Sequence, residues 1–332
     1  MESTLPPLLF HPVYKDYLWG GQRICERFHR KNVPPRCAES WEITDRDDGM
    51  SVVEGGVFAN RTLFELVHVL GEDLLGKGKN YVSFPLLVKL IDAKKRLSVQ
   101  VHPDEINAVL TGGEPKTEMW YLLNDPNYVS NAAVFAGFKR ACTREQFLKL
   151  TESGSAEDYE SLFSRFSAQP GDAFLIPAGR VHAIDQGCLL FEVQQNSNTT
   201  YRLWDWDRTG PDGKKRELHI QKALDVVKWG DAECSRLAPK KIVEKNGLKG
   251  DEIVANQYFS VRRYSLDRVT VLDTERLHFD ILFAPDTNMV IENDRVIFRV
   301  PEGRTCLVPA AMGEYRLTPE KIGSELLRVF VP

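Results

Sequence analysis

Apolar and polar positions alternate in short runs along most of the chain. The runs are rich in β-branched and aromatic residues and stop at Gly, Pro, Asn or Asp, as in Tyr81 to Val88, Asn131 to Phe138 and Phe174 to Ile176. A period of two marks a strand with one face toward a core, so the pattern predicts a mainly β protein. Helical spacing appears in three places. Thr62-Leu63-Phe64-Glu65 is a capping box that opens the spacing Leu63, Leu66, Val67, Leu70 before Gly71, which predicts a helix over about 62–71. Thr143-Arg144-Glu145-Gln146 opens a second, followed by Phe147, Leu148, Leu150 and then Leu162, Phe163, Phe166, which predicts a helical insertion over about 143–166. Ile220, Ala223, Leu224 and Val227 predict a third over about 219–228, packed on the outside of a barrel.

After Trp229-Gly230 the chain turns polar and lysine-rich through Lys240, Lys241, Lys245 and Lys249. This predicts a connection over 231–250 between a domain of residues 1–230 and a smaller one of residues 251–332. The smaller domain reads as strands (Tyr258 to Leu266, Val269 to Leu272, Phe279 to Phe283, Val296 to Val300) with one weak helix near Glu320.

One internal similarity links the two parts. Gly171 to Pro177-Ala178 and Gly303 to Pro309-Ala310 enclose apolar strands at the same offset, the kind of plan that recurs in jelly-roll hairpins. Chance placement of turn residues produces the same pattern in a chain with 23 glycines, and the local sequence does not decide between the two. If the repeat is real, it differs in chemistry. His182 follows the first Pro by five residues, and Glu314 follows the second. A metal would belong to the first copy.

The chemistry sits in three segments. In Leu97-Ser98-Val99-Gln100-Val101-His102, alternation puts Ser98, Gln100 and His102 on one face and Leu97, Val99 and Val101 on the other. In Lys116-Thr117-Glu118-Met119-Trp120-Tyr121 it puts Lys116, Glu118 and Trp120 together. Buried polar faces need hydrogen-bond partners or a cation. Two imidazoles, a carboxylate and an amide oxygen (His102, His182, Glu118, Gln100) suit a borderline divalent ion, for which zinc is the usual choice without redox chemistry. A lone histidine in a strand more often satisfies a local hydrogen bond, and His11, His29, His68, His219 and His278 are read that way.

Other candidates have ordinary structural alternatives. Thr200 to Arg208, if extended, aligns Arg202, Trp204, Trp206 and Arg208; Arg202 could bind an anionic oxygen, or the run could be an Arg–Asp ladder over aromatics. Glu192 is the single acid of the strand Leu189 to Gln194, where burial would raise its pKa toward proton-transfer use or hydrogen bonds would make it structural. Trp19-Gly20-Gly21 and Glu39-Ser40-Trp41-Glu42 suit sugar stacking and hydroxyl contacts, or capping of a barrel end.

Composition narrows the class. The 332 residues suit about two domains, and 42% hydrophobic with 27% charged residues is a globular balance. The net charge of −4 offers no global field for nucleic acid or an anionic membrane, and the first residues show no basic-then-apolar leader. Six cysteines scattered singly suit reduced thiols, so a cytoplasmic protein is expected.

Taken together, these segments resemble class I mannose-6-phosphate isomerase (phosphomannose isomerase) in its short bacterial form. The match runs in family order over residues 8 to 230 through Trp19-Gly20-Gly21, Glu39-Ser40-Trp41-Glu42, Leu97 to Asp104, Lys116 to Tyr121, Ile176-Pro177-Ala178-Gly179 with Val181-His182-Ala183, and Thr200-Tyr201-Arg202 ending at Asp207-Arg208. The resemblance implies two cupin-type jelly-roll β-barrels, the C-terminal one metal-free, with a few helices inserted in or packed on the N-terminal barrel. It implies one Zn2+ per chain on Gln100, His102, Glu118 and His182, Gln100 being the ligand that water could replace. Arg202, Lys116 and Glu192 become the catalytic candidates, and Trp19, Glu39, Trp41 and Ser98 the substrate-binding ones. The implied partner is a small sugar phosphate, with mannose 6-phosphate and fructose 6-phosphate interconverted through a cis-enediol. The rival readings are a sugar-binding or regulatory cupin without activity and an iron-dependent cupin oxygenase. Arg180 departs from the small polar residue that often precedes Val-His, and a long cation at the barrel mouth would alter substrate access.

Overall fold

The computed structural model describes residues 5–125, 131–153, 155–210 and 213–332. It is mainly β, as the alternation predicts, with short helices between strands. None of the described helices is long and apolar enough to cross a membrane.

Two compact units divide the chain. One comprises residues 14–40 and 89–237, the other residues 1–13, 41–88 and 238–332. The sequence pattern predicts a simple N-terminal and C-terminal partition; instead the second unit takes in two N-terminal segments, among them the strand Leu8–His11, which pairs with Thr305–Val308. Pairing of strands far apart in sequence leaves no local signal.

In the first unit, one sheet orders Phe163–Ser167, Ala133–Phe138, His182–Ile184, Val99–Val101 and Tyr201–Trp204. Ala173–Ile176, Glu118–Leu122 and Leu189–Gln195 are neighbours in another. The two sheets face one another, because Val134, Ala136 and Ile184 from the first share a core with Trp120, Leu122, Phe174 and Leu190 from the second. Behind the first sheet, Val99, Val101, Phe135 and Leu203 pack on Phe147, Tyr159, Ala223, Leu224 and Val226 from the helices Arg144–Ser153, Ala156–Leu162 and Ile220–Val226. Burying both faces fixes which way every side chain of the first sheet points.

The helix Leu63–Leu70 carries the predicted capping box, Thr62 and Glu65 each satisfying the other's backbone N–H. The second helical prediction is corrected in part: it holds two helices, Arg144–Ser153 and Ala156–Leu162, and Phe163–Ser167 is an edge strand. The predicted connection also carries structure, because Lys240–Val243 pairs with Lys249–Ala255 around Gly247. No helix forms near Glu320, where a turn at Gly323 joins Glu314–Pro319 to Ser324–Phe330.

The second unit has an eight-stranded and a four-stranded sheet. Their shared core joins Tyr264, Leu266, Leu282 and Leu326 to Leu272, Met289, Ile291 and Leu317. The internal similarity has a local counterpart: Gly171 (φ 85°) and Gly303 (φ 69°) both take the left-handed conformation, each ahead of a four-residue strand that ends before a proline. His182 and Glu314 each open the strand that follows.

Candidate metal centre

Antiparallel register assembles the site. Gln100 lies directly opposite both His182 and Arg202 on neighbouring strands. On the facing sheet, Glu118 lies between Ile176 and Gln194. His102 continues the face of Gln100 just past the strand end, and Asp104 caps the next helix by accepting from Asn107 N–H.

His102, Glu118 and His182 are all buried, with one ligand atom of each within 4.8 Å of the others. His182 Nε2 is 3.3 Å from Glu118 Oε1, and His102 Nε2 is 3.5 Å from Glu118 Oε2. Metal–ligand bonds of about 2.0–2.2 Å at tetrahedral angles place donor atoms about 3.3–3.5 Å apart, so these contacts fit zinc. His182 Nδ1 donates to the carbonyl of Arg180 at 2.8 Å, which leaves Nε2 with its lone pair facing the cluster. His102 Nε2 accepts from the ammonium of Lys116 at 3.1 Å, so it too presents a lone pair; its buried Nδ1 has no hydrogen-bond partner among the described residues.

Gln100 presents its amide nitrogen 3.2 Å from His182 Nε2 and its oxygen to Ser98 Oγ. Rotation of the amide by 180° exchanges the two, so an oxygen donor is available at the same place. The charge state also fits a cation. Burial, reinforced by the Lys116 charge, lowers the His102 pKa to about 3, and burial lowers that of His182. Burial alone would raise Glu118, but Lys116 and the two imidazoles hold it well below the ordinary carboxylate value. Two neutral imidazoles and an ionised carboxylate form the donor set of a zinc site with an open position.

Lys116 Nζ is 2.7 Å from Glu118 Oε2, so a fixed cation already touches two of the three donor residues.

The centre opens into a cavity of about 280 Å³. Of the predicted residues, Trp19, Glu39, Ser98, Gln100, Lys116, Glu118, Glu192 and Arg202 line it. Trp41 does not; it is fully buried and closely packed with Gly49, where a side chain would meet its ring at 2.7 Å. The segment is a strand, Glu39–Ile43, buried along its length, and Trp41 belongs to a core. Leu97 is corrected the other way. It lies just before the strand Val99–Val101 and shares the cavity wall with Ser98 and Gln100.

The run Thr200 to Arg208 is not extended throughout. The strand ends at Trp204 after a register shift, and Trp206 and Asp207 take positive φ of 57° and 52°. Trp204 stacks on Tyr159 and Trp206 lies under the Arg96 guanidinium, so only Arg202 of the four aligned residues reaches the cavity. Arg180 is likewise turned from the mouth, buried and bidentate to Asp231 with a third bond to Ser235.

Lys89, Trp120, Arg216, Tyr17, Asn198 and Thr200 also line the cavity. Lys89 is fully buried between Glu192 Oε1 (3.2 Å) and Glu39 Oε2 (3.5 Å), and burial, which would lower its pKa, is outweighed by the carboxylates, which raise it. Trp120 Nε1 donates to Glu192 Oε2 at 2.8 Å. Burial raises the Glu192 pKa against the opposing pull of Lys89. A lysine centred in the apolar strand Leu86–Asp92 was the signal for Lys89. Arg216 gave none, since it lies in a charged loop.

The fold and site define a β-sheet protein with a buried cluster of two histidines and one carboxylate, able to hold a metal ion, beside a polar cavity. Residues 8–146 match the family model described as phosphomannose isomerase type I, catalytic domain. The chain is 34% identical over 320 residues to the mannose-6-phosphate isomerase ManA of Bacillus subtilis (strain 168), covering 95% of this chain and 96% of that one. The crystal structure of the mannose 6-phosphate isomerase from Bacillus subtilis matches with a TM-score of 0.87 at 28% identity, over 98% of this chain and 99% of that one. A mannose 6-phosphate isomerase structure described as holo and zinc bound shares the fold, with a TM-score of 0.77 at 16% identity over 98% and 100% of the chains. The chain belongs to the type I mannose-6-phosphate isomerase family.

Proposed function

We propose that the protein is a zinc-dependent aldose-ketose isomerase that interconverts mannose 6-phosphate and fructose 6-phosphate. The observation that carries this reading is the His102, Glu118, His182 donor set opening into a cavity with Glu192, Lys116 and Arg202 on its wall. His102, Glu118 and His182 would hold one zinc ion, with Gln100 as a fourth donor. Zinc there supplies Lewis-acid stabilisation of negative charge on the sugar oxygens.

Isomerisation through a cis-enediol moves a proton between C2 and C1 of the open-chain sugar. Glu192 suits proton transfer, because burial raises its pKa while Trp120 and Lys89 fix its two oxygens. Lys116 suits donation to a substrate oxygen from its place beside Glu118 and His102. Arg202, donating to Ser98 Oγ at 3.3 Å and to the Glu217 carbonyl at 2.8 Å, holds positive charge on the opposite wall. Trp19, Glu39 and Ser98 supply an aromatic face and hydroxyl partners.

We assign the catalytic role to the unit of residues 14–40 and 89–237. Its two facing sheets read as a cupin-type jelly roll, and the other unit as a metal-free one, supported by the matched glycine turns. Six free cysteines, none paired among the described residues, suit a reducing compartment such as the cytoplasm.

The test is a coupled assay of mannose 6-phosphate conversion on metal-replete protein, chelator-treated protein and His182→Ala. Activity lost on chelation, restored by zinc and absent from the variant is the expected result. Full activity after chelation would remove the metal from the reading.

A further inference from the structure

Charged residues line the cavity from two sides: Glu39, Lys89, Glu118 and Glu192 come from one sheet, with Lys116 just ahead of its strand Glu118–Leu122, and Arg202 comes from the facing sheet, with Arg216 from the loop that follows. Close to Arg202, two guanidiniums, those of Arg208 and Arg216, share one buried carboxylate, Asp205. Arg208 Nη2 and Arg216 Nη2 both reach Asp205 Oδ1, and Arg216 Nε donates to Asp205 Oδ2 at 2.8 Å. Burial would raise the Asp205 pKa, but Arg216 and Arg208 together lower it. Among the described residues the Arg202 guanidinium donates to neutral oxygens, those of Ser98 and the Glu217 backbone. Burial and the charges of Arg216 and Arg208 destabilise its cation. The guanidinium side therefore holds more positive charge than it neutralises.

Arg216 is also pre-oriented. Asp205 takes its Nε–Nη2 edge, so the fork is fixed while Nη1 remains outside that clamp.

Resting on the isomerase reading, we propose that Arg216, positioned by Asp205 and working with Arg202, binds the substrate's phosphate and sets the preference for phosphorylated sugars. A sugar phosphate matches both sides at once, with hydroxyl and carbonyl oxygens toward the metal centre and a dianion toward the arginines. An unphosphorylated sugar leaves the arginine surplus unanswered. The loop that carries Arg216 thus selects the substrate, while the strands carry the chemistry.

The experiment compares wild type, Arg216→Gln and Arg216→Lys in mannose 6-phosphate kinetics and in direct titration with inorganic phosphate, with zinc content and melting temperature recorded for each. Arg216→Gln is expected to raise KM roughly ten- to hundredfold, the worth of one or two charge-assisted hydrogen bonds, with a smaller change in kcat. Phosphate affinity should fall in parallel, and Arg216→Lys should fall between. Unchanged phosphate affinity in a folded, zinc-replete Arg216→Gln protein would overturn the proposal; if that variant unfolds, the same result in Arg216→Lys does so. An inactive wild type would reject the isomerase reading instead, and phosphate titration would still decide whether Arg216 forms an anion site.

Discussion

Gln100 and His182 stand directly opposite one another on adjacent antiparallel strands, and their side chains meet at 3.2 Å. The amide is thus held against the donor nitrogen of the imidazole by sheet register, with no flexible loop between them.

Gln100→Ala is therefore expected to keep the fold and to bind zinc about ten- to a hundredfold more weakly, as when an orienting partner of a ligand is lost. His182→Ala should remove stoichiometric zinc altogether. Competition against a chromogenic chelator measures both, and equal zinc affinity in Gln100→Ala and wild type would show that the amide neither binds nor orients.

Lys116 touches two donor residues, so its charge opposes a second cation at the centre. Lys116→Met is expected to retain one zinc per chain while kcat falls about 10²- to 10⁴-fold, the range of a lost acid–base group. Metal analysis beside steady-state rates gives the answer; loss of zinc with loss of activity would make Lys116 a structural element of the centre.

Lys89 is the cation between Glu39 and Glu192. Replacing it by Met leaves buried carboxylates with less compensation, at a cost of about 3–5 kcal/mol near neutral pH. The sign with pH follows from Glu192, whose folded pKa is raised and rises further without Lys89. Such a group favours folding below its unfolded pKa of about 4.3, and that advantage is lost as pH rises through the folded value. Urea unfolding should show the gap between wild type and variant widening from acid to neutral pH. A pH-independent gap would contradict this electrostatic account.

Asp280 behaves in the opposite sense. It accepts from Arg328 Nε at 2.8 Å and Tyr315 Oη at 2.7 Å; burial would raise its pKa, but Arg328 together with His278 outweighs burial and holds it below the ordinary value. Its contribution is present above the unfolded pKa of about 3.9 and fades as pH falls through the depressed folded value. Asp280→Asn should be less stable than wild type at pH 7 and lose less on further acidification. Parallel acid-unfolding curves would count against it.

The buried cluster is legible in the sequence because alternation and register carry it: Gln100 with His102, and Lys116 with Glu118 and Trp120, keep the faces that a period of two gives them. Elsewhere tertiary contacts decided. Trp41 and Glu39 lie two residues apart on one strand, yet one enters a core and the other the cavity. Nothing local to Arg180 signals that it turns from the mouth, because Asp231, its partner, is 51 residues away. In the strand Phe163–Ser167 the spacing of Phe163 and Phe166 predicts a helix, yet the strand sends the two rings to opposite faces, each into a different core.

Arg180 holds His182 Nδ1 through its carbonyl while its guanidinium is locked to Asp231 and Ser235. The metal ligand and its anchor therefore belong to separate stretches of sequence. Transplanting the Pro177–His182 turn into another scaffold would carry the imidazole without the clamp that aims it. Drift at position 231, which bears no donor atom, would be felt first as leakage of metal.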